Sequence, residues 1–206
     1  MSFEAGVLFV LAAYLIGSIP TGYILTRYST GKNILEEGSG NAGSTNVKRV
    51  AGRKIAVITQ LSDMMKGLLP VGLYIVMSYD TNLDYNQNII SNPWVYCVAL
   101  ASILGHDFSV FLRFKGGKGV NTTLGASVLL APLPVFISVA VYFIIKRGFR
   151  YVSLGSIALG ITLPVSGLLI YGTVPTFYYL IICMLLIIVL HRKNIDRLLH
   201  SRELTP

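Results

Sequence analysis

Long apolar runs with almost no charge are the feature that most constrains how this chain can fold. They cover residues 3–25, 55–79, 93–112, 120–145, 151–171 and 175–190. Of the 206 residues, 53% are hydrophobic and 13% are charged, whereas soluble domains carry about 25% charged residues. A water-soluble fold would have to bury several segments of near-spanning length. The sequence therefore predicts an all-α, polytopic integral membrane protein, with one transmembrane domain over residues 1–206.

The basic residues are grouped between the apolar runs. The formal net charge is +8, and this grouping indicates membrane topology and anion contacts, not a nucleic-acid surface. The N-terminus lacks the basic region of a secretory signal, so the first run is interpreted as a retained span. Cys97 and Cys183 lie inside apolar runs and support neither a disulfide nor a metal site. No obligate protein partner is indicated.

The run at residues 120–145 has basic clusters at both ends, which one span cannot place on the same side. Pro132 and Pro134 in its middle predict a turn, with two arms of about a dozen residues, each too short for a bilayer core of about 30 Å. Residues 80–92 hold two aspartates and no lysine or arginine. The prediction is seven membrane segments, with residues 80–92 and the N-terminus outside and the C-terminus cytoplasmic.

Two glycine-rich basic segments suggest a substrate that carries phosphate. The glycine loop (residues 114–121) holds three glycines and two lysines, which let backbone N–H groups and a point charge converge on an anion. Its spacing is not that of a Walker A loop. The first basic segment (residues 38–49) offers hydroxyls, amides and Arg49, which can bind phosphate bidentately. The alternatives are a basic cytoplasmic turn for the glycine loop and a flexible connection for the first basic segment.

Several other polar residues have more than one interpretation. Asp63 and Lys66 are three apart on one helix face and can pair at membrane depth. Ser153 is expected to cap a helix, and His191 is either an interfacial residue or an acid–base group. Only nine acidic residues exist, and no two lie as a ligand pair beside either basic segment. This argues against a metal-dependent mechanism, and no metal or cofactor is expected.

Motifs along nearly the whole chain resemble the bacterial acyl-phosphate:glycerol-3-phosphate acyltransferase family (PlsY type). They are Gly-Ser-Ile-Pro-Thr-Gly at 17–22, Gly-Ser-Gly-Asn-Ala-Gly-Ser-Thr-Asn-Val-Lys-Arg at 38–49, Asp-x-x-Lys-Gly at 63–67, Gly-His at 105–106, Phe-Lys-Gly-Gly-Lys-Gly-Val at 114–120, Tyr-Val-Ser-Leu-Gly-Ser-Ile at 151–157 and His-Arg-Lys-Asn-Ile at 191–195. Lys193 departs from the pattern, because the family's closing motif usually has Glu there, so any role of that Glu does not carry over.

The resemblance implies seven spans with the motifs facing the cytoplasm of a bacterial cell (inner) membrane. It also implies transfer of a fatty acyl group from acyl phosphate to glycerol 3-phosphate, giving lysophosphatidic acid and phosphate, the first step of phospholipid synthesis. The catalytic residues that it implies are Ser39, Arg49, Lys118, Ser156, His191 and Asn194. The substrate-binding residues that it implies are Gly38, Gly40, Asn41, Thr45, Asn46, His106, Lys115, Gly116, Gly117 and Gly119.

The implied chemistry needs two anions to be oriented and charge to be stabilised on the departing phosphate. No Ser-His-Asp type of nucleophile–base pair is evident, which favours direct transfer without an acyl-enzyme. The hydroxyl proton goes either to His191 or, as we favour, to a phosphate oxygen of the donor, with His191 and Asn194 positioning glycerol 3-phosphate. A membrane carrier or channel for a phosphate-bearing anion is the alternative class, and a phosphatidyl-group transferase is a second enzymatic alternative.

Overall fold

The computed structural model describes residues 2–84 and 89–204, and the regular elements within those ranges are all helical. The prediction of an all-α fold is confirmed for these ranges, which exclude residues 85–88 of the predicted outer loop. The α-helices are α1 (Phe3–Ser18), α2 (Thr21–Thr30), α3 (Ser44–Ser78), α4 (Pro93–Asp107), α5 (Val120–Ser127), α6 (Pro132–Phe149), α7 (Val152–Tyr171), α8 (Pro175–Leu190) and α9 (Arg192–Leu199), and a short 3₁₀ helix covers Val110–Leu112.

Several helical stretches are suited to a bilayer. Within the described ranges, four are long and apolar enough to cross it, namely Phe3–Thr30, Pro93–Leu112, Pro132–Phe149 and Val152–Tyr171. A fifth is obtained if α8 and α9, bent by 58° at their junction, count as one span. Large apolar side chains such as Leu169 (81% exposed) and Ile144 (69% exposed) lie on their surfaces, as expected for contact with lipid. Seven segments and the orientation of the termini stay predictions.

The chain divides into two compact units, Met1–Leu129 and Leu130–Pro206. In the first unit, glycines bring helix backbones into close contact. A Cβ on Gly17 would overlap the carbonyl of Ser102, so the backbones of α1 and α4 are in contact there. A Cβ on Gly125 would overlap the carbonyl of Met64, so the backbones of α5 and α3 are in contact as well. Small residues at such crossings are typical of helix pairs in membranes.

A break between α1 and α2 interrupts the first apolar run at Ile19 and Pro20. A proline inside an apolar run predicts a kink, which is tolerated where Ser18 or a neighbouring helix satisfies the freed backbone groups. In the structure a neighbouring segment satisfies a backbone group at the break, because the hydroxyl of Ser109 donates to the Ser18 carbonyl over 2.5 Å. The Ser18 hydroxyl itself is buried and makes no hydrogen bond within the part of the chain that the structure describes.

Helix α3 is longer than its apolar run, with 35 residues from Ser44 to Ser78. Gly52 interrupts it with φ 84°, a left-handed value that glycine adopts without a steric penalty. The stretch from Ser44 to Arg49, interpreted from sequence as part of a loop, therefore forms the first turns of a kinked helix.

In the second unit, α7 packs against both α6 and α8. The prediction that both arms of residues 120–145 are short is wrong for the second arm. Helix α5 has 8 residues, but α6 has 18, or about 27 Å of helix. Pro132 and Pro134 lie in the first turn of α6, where a missing N–H costs nothing because it has no partner inside the helix.

Candidate active site

The first basic segment is organised by Asn46, which is buried. Its amide oxygen accepts a hydrogen bond of 2.9 Å from the backbone N–H of Ser39. Its amide nitrogen donates to the carbonyls of Ile34, Glu37 and Asn41 at 3.3, 2.9 and 3.0 Å. Since one side chain binds four backbone groups, the interpretation of this segment as a flexible connection is wrong.

The same segment ends on the first turns of α3. Gly43 precedes the helix and supplies no side-chain cap, and the first N–H groups of an α-helix have no partner inside the helix. Thr45 and Arg49 lie on these turns and are partly exposed, as is Ser39 in the preceding loop. Helix N-termini with a nearby arginine are suited to binding phosphate.

The glycine loop lies against the end of α4. The N–H of Gly117 donates to the His106 carbonyl over 3.0 Å, and a Cβ on Gly117 would overlap the His106 imidazole. Gly119 has φ 69° and immediately precedes α5. Lys118, between these two glycines, is partly buried, whereas Lys115 is exposed.

Two hydrogen bonds join the first basic segment to the glycine loop. The Asn41 amide donates to the Gly116 carbonyl over 3.0 Å, and the Asn121 amide donates to the Ser44 hydroxyl over 3.3 Å. The two predicted anion-binding segments therefore lie side by side in the first unit. The Asn41 amide thus joins the two segments, while the Asn46 amide holds the first one in shape. The contacts of both residues with substrate, expected from the resemblance, stay predictions.

A small polar cavity lies beside the glycine loop. Its volume is about 220 Å³. Its lining comes from α1, α2, α3, α4 and both basic segments: Gly17, Ser18, Ile19, Pro20, Thr21, Gly22, Ala42, Asp63, Lys66, His106, Ser109, Leu112, Gly116 and Gly117.

An ion pair is buried in the wall of this cavity. The Lys66 ammonium lies 2.7 Å from Asp63 Oδ1, with side-chain exposures of 6% and 2%. The predicted pairing of these two residues is thus confirmed. Thr21 donates to the same carboxylate oxygen over 3.0 Å, and His106 Nδ1 lies 3.6 Å from it. Sequence analysis did not assign Asp63 and Lys66 to the site, although the cost of charges at membrane depth marks them.

Acidic groups lie closer to the glycine loop than the sequence indicated. A Cβ on Gly119 would lie 2.9 Å from one Asp107 carboxylate oxygen and 3.0 Å from the other, and Asp63 lines the adjoining cavity. These are two separate carboxylates, and the expectation that no two acidic residues lie as a ligand pair beside either segment stays a prediction. Among the residues that the structure describes, no three His, Cys, Asp or Glu side chains form a group suited to a metal ion.

The predicted residues of the second unit lie on α7 and around the bend between α8 and α9. The Ser156 hydroxyl donates to the Val152 carbonyl within α7 over 3.0 Å. His191 is buried at the bend, with its Nδ1 2.8 Å from the Ile187 carbonyl. Ser153 does not cap α7 as predicted, because it follows the start of the helix and its hydroxyl donates to Glu203 over 2.8 Å.

Glu203, in the C-terminal tail, connects several of these groups. Its Oε1 accepts hydrogen bonds from Ser153 and from the Asn194 amide, the latter over 2.7 Å. Its Oε2 lies 3.1 Å from Arg197 Nε, and the Glu203 side chain is 4% exposed. Lys193, where the family usually has Glu, is exposed on α9. No sequence signal pointed to Glu203, because its role depends on the tail folding back onto α7 and α9.

Fold and site together define a polytopic helical membrane protein in which two glycine-rich basic segments adjoin. The family model described as glycerol-3-phosphate acyltransferase matches residues 7–201. A glycerol-3-phosphate acyltransferase of Clostridium acetobutylicum is 43% identical over 194 residues, which cover 94% of this chain and 96% of the relative. One of Syntrophotalea carbinolica is 42% identical and covers 94% of each chain.

Solved structures agree with these relatives. The crystal structure of PlsY (YgiH), an integral membrane glycerol 3-phosphate acyltransferase, in the glycerol 3-phosphate form is 36% identical, with a TM-score of 0.88 over 98% of this chain and 96% of that one. The lysophosphatidic acid form of PlsY gives a TM-score of 0.84 over 98% and 95%. The chain therefore belongs to the glycerol-3-phosphate acyltransferase family.

Proposed function

We propose that this chain transfers a fatty acyl group from acyl phosphate to glycerol 3-phosphate, forming lysophosphatidic acid and inorganic phosphate. Membership of the family supports the enzyme class and the acceptor. The observation that carries the donor assignment is the junction between the first basic segment and the glycine loop through Asn41 and Gly116. This junction brings together two segments that each suit a phosphate group, and acyl phosphate, like the acceptor, carries one.

The chemistry follows from the charges of these segments. Acyl phosphate is already a mixed anhydride, so the enzyme orients the acceptor hydroxyl and stabilises charge on the departing phosphate. Arg49 and Lys118 neutralise phosphate, while Ser39 and the glycines shape the contacts around it. The acceptor hydroxyl attacks the carbonyl carbon, the bond from that carbon to the phosphate oxygen breaks, and the proton passes to a donor phosphate oxygen. His191, Asn194 and Ser156 position glycerol 3-phosphate.

The membrane arrangement is part of the proposal. Residues 1–206 form one transmembrane domain with seven membrane segments, the N-terminus outside and the C-terminus in the cytoplasm. The basic segments then face the cytoplasmic side of a bacterial inner membrane, in keeping with the bias of cytoplasmic loops towards lysine and arginine. The reaction needs neither a protein partner nor a metal ion, because Arg49 and Lys118 supply the positive charge.

A phosphate-release assay tests the reaction. Purified protein in detergent receives palmitoyl phosphate and glycerol 3-phosphate, with palmitoyl-CoA as the alternative donor, in excess EDTA or with added Mg²⁺. We expect phosphate release that depends on glycerol 3-phosphate, equal rates in EDTA and Mg²⁺, and no comparable turnover of palmitoyl-CoA. An anion carrier would move glycerol 3-phosphate into liposomes without consuming acyl phosphate. Loss of turnover in EDTA, restored by Mg²⁺, would contradict metal independence. The test matters here because the Asp107 carboxylate lies close to Gly119.

A further inference from the structure

The buried Asp63–Lys66 pair lies near the glycine loop, and the His106 side chain lies between the Asp63 carboxylate and Gly117 of that loop. We propose that Asp63, Lys66 and Thr21 are positioning residues that hold His106, and that His106 fixes the glycine loop that presents Lys118. This inference rests on the proposed function for its effect on turnover, and on the structure alone for its effect on the loop.

The first step concerns the environment of Asp63. One of its carboxylate oxygens receives the Lys66 ammonium at 2.7 Å and the Thr21 hydroxyl at 3.0 Å. A buried ion pair is weak evidence for stability, since a well-packed apolar pair of similar volume is often as stable. What an apolar pair could not do is present a carboxylate to an imidazole, and His106 Nδ1 lies 3.6 Å from this oxygen. That distance is within ion-pair range and longer than a direct hydrogen bond.

The second step concerns the other side of His106. A Cβ on Gly117 would overlap its Nε2, so the imidazole lies directly against the loop backbone. The His106 carbonyl accepts the Gly117 N–H over 3.0 Å. The imidazole therefore has Asp63 on one side and the Gly117 backbone on the other. These contacts assign His106 to the support of the loop, and its expected contact with substrate stays a separate prediction.

The third step links this support to the chemistry. Lys118 immediately follows Gly117, which His106 holds, and precedes Gly119, a residue of left-handed conformation just before α5. A shift of His106 would therefore displace the residue on which charge stabilisation of the phosphate depends. Displacement of a catalytic group by about 1 Å can cost about 10²-fold in rate.

The experiment separates the positioning role from a purely structural one. Asp63→Asn and Lys66→Met each leave one charge unpaired and are expected to destabilise the protein. The double variant D63N/K66M removes both charges. We expect its thermal unfolding temperature in detergent to return to within a few degrees of the wild-type value, while kcat for glycerol 3-phosphate acylation stays about 10–100-fold low. Return of both stability and kcat to wild-type values would overturn the proposal.

Two threonines on α2 give a matched comparison that keeps the ion pair intact. Thr21→Val removes the hydrogen bond to Asp63, whereas Thr26→Val removes a buried hydroxyl that makes no hydrogen bond within the described ranges. We expect Thr21→Val to lower kcat by about 3–10-fold, the usual effect of losing one hydrogen bond, and Thr26→Val to leave it unchanged. Equal effects of the two substitutions would count against the network.

Amide hydrogen exchange provides a readout that does not depend on turnover. In D63N/K66M and Thr21→Val we expect faster exchange in peptides covering residues 114–121, and unchanged exchange in peptides from α7. If the wild-type protein does not turn over acyl phosphate but exchange changes as expected, the proposed function fails and the positioning network stands. If the wild-type protein is active and exchange at residues 114–121 is unaltered in both variants, the positioning network fails alone.

Discussion

At the scale of single residues, the three basic side chains in and before the glycine loop differ in their surroundings. Lys118 is partly buried between Gly117 and Gly119, whereas Arg113 and Lys115 are exposed. We expect Lys118→Ala to lower turnover by about 10²-fold or more, the effect of losing one preorganised charge-stabilising donor. Lys118→Arg should also be poor, because a planar guanidinium does not replace a compact ammonium in a tight loop.

The control is Arg113→Ala, which leaves the partly buried lysine in place. It should cost far less than Lys118→Ala in a phosphate-release assay, measured on protein that is correctly inserted and purified. Equal, mild losses for Arg113→Ala, Lys115→Ala and Lys118→Ala would mean that the loop acts only as a basic topology signal.

Glycine substitutions test how closely the loop lies against α4. Gly117→Ala places a methyl group on the His106 imidazole, whereas a Cβ on Gly148 meets no atom within 4 Å. We expect Gly117→Ala to lower turnover by at least about 10-fold through displacement of the loop. Gly148→Ala should preserve turnover and stabilise α6 slightly, by up to about 1 kcal/mol. Phosphate release and thermal unfolding measure the two effects, and an active Gly117→Ala protein would contradict the close contact.

Some of these residue-level features could be predicted from sequence and others could not. The i, i+3 spacing of Asp63 and Lys66 is enough to predict their pairing, because helix geometry alone places them on one face. The structural role of Asn46 could not be predicted, since it depends on carbonyls at positions 34, 37 and 41 that converge only when the loop is folded. The candidate anion-binding residues can be predicted from their types, but the residues that support them cannot.

At the scale of helices, hydropathy predicts which segments are embedded in the membrane better than it predicts where the helices begin and end. It identified the apolar part of α3, but the helix begins at Ser44, eleven residues before that run. Polar residues such as Ser, Thr and Asn are common at helix starts, where they also suggest loops. Pro132 and Pro134 predict the middle of a turn, but they lie in the first turn of α6, since proline is accepted in the first helical turn as well as in turns.

The C-terminal tail is an element whose importance follows from its contacts. Glu203 binds Ser153 on α7 and both Asn194 and Arg197 on α9. We expect Glu203→Ala to lower the thermal unfolding temperature by about 5–10 °C, because three hydrogen bonds to a buried carboxylate are lost. Turnover should fall as well, since Asn194 loses the group that fixes its amide.

Asp196→Ala is the matched control for Glu203→Ala. Asp196 lies on α9 and pairs with His200, but both side chains are exposed, and exposed pairs contribute about 0–1 kcal/mol. Its unfolding temperature and turnover should stay close to the wild-type values. A Glu203→Ala protein as stable as the Asp196→Ala protein would show that the tail does not hold α7 and α9.

At the scale of the whole molecule, the sequence was sufficient to predict the class of protein and its family. Low charge and repeated apolar runs allow little else but a helical membrane protein, and several motifs in one order identify the family. The division into Met1–Leu129 and Leu130–Pro206 was not predicted, because it depends on which helices pack together and not on a change in composition. The number of membrane crossings depends on the same packing and on charge placement.

Membrane topology is tested by labelling from the two sides of the membrane. The positive-inside bias places residues 80–84, which hold two aspartates and no lysine or arginine, outside, and the tail with Arg192, Lys193 and Arg197 inside.

Cys97 is exposed and Cys183 is buried, so both are first replaced by serine or alanine. A cysteine at Asp84 should then react with a membrane-impermeant maleimide on intact cells. One added after residue 204 should react only once the cells are opened. Five crossings separate these positions in the seven-segment arrangement, and an odd number places them on opposite sides. Labelling of both from the same side requires an even number and would eliminate that arrangement.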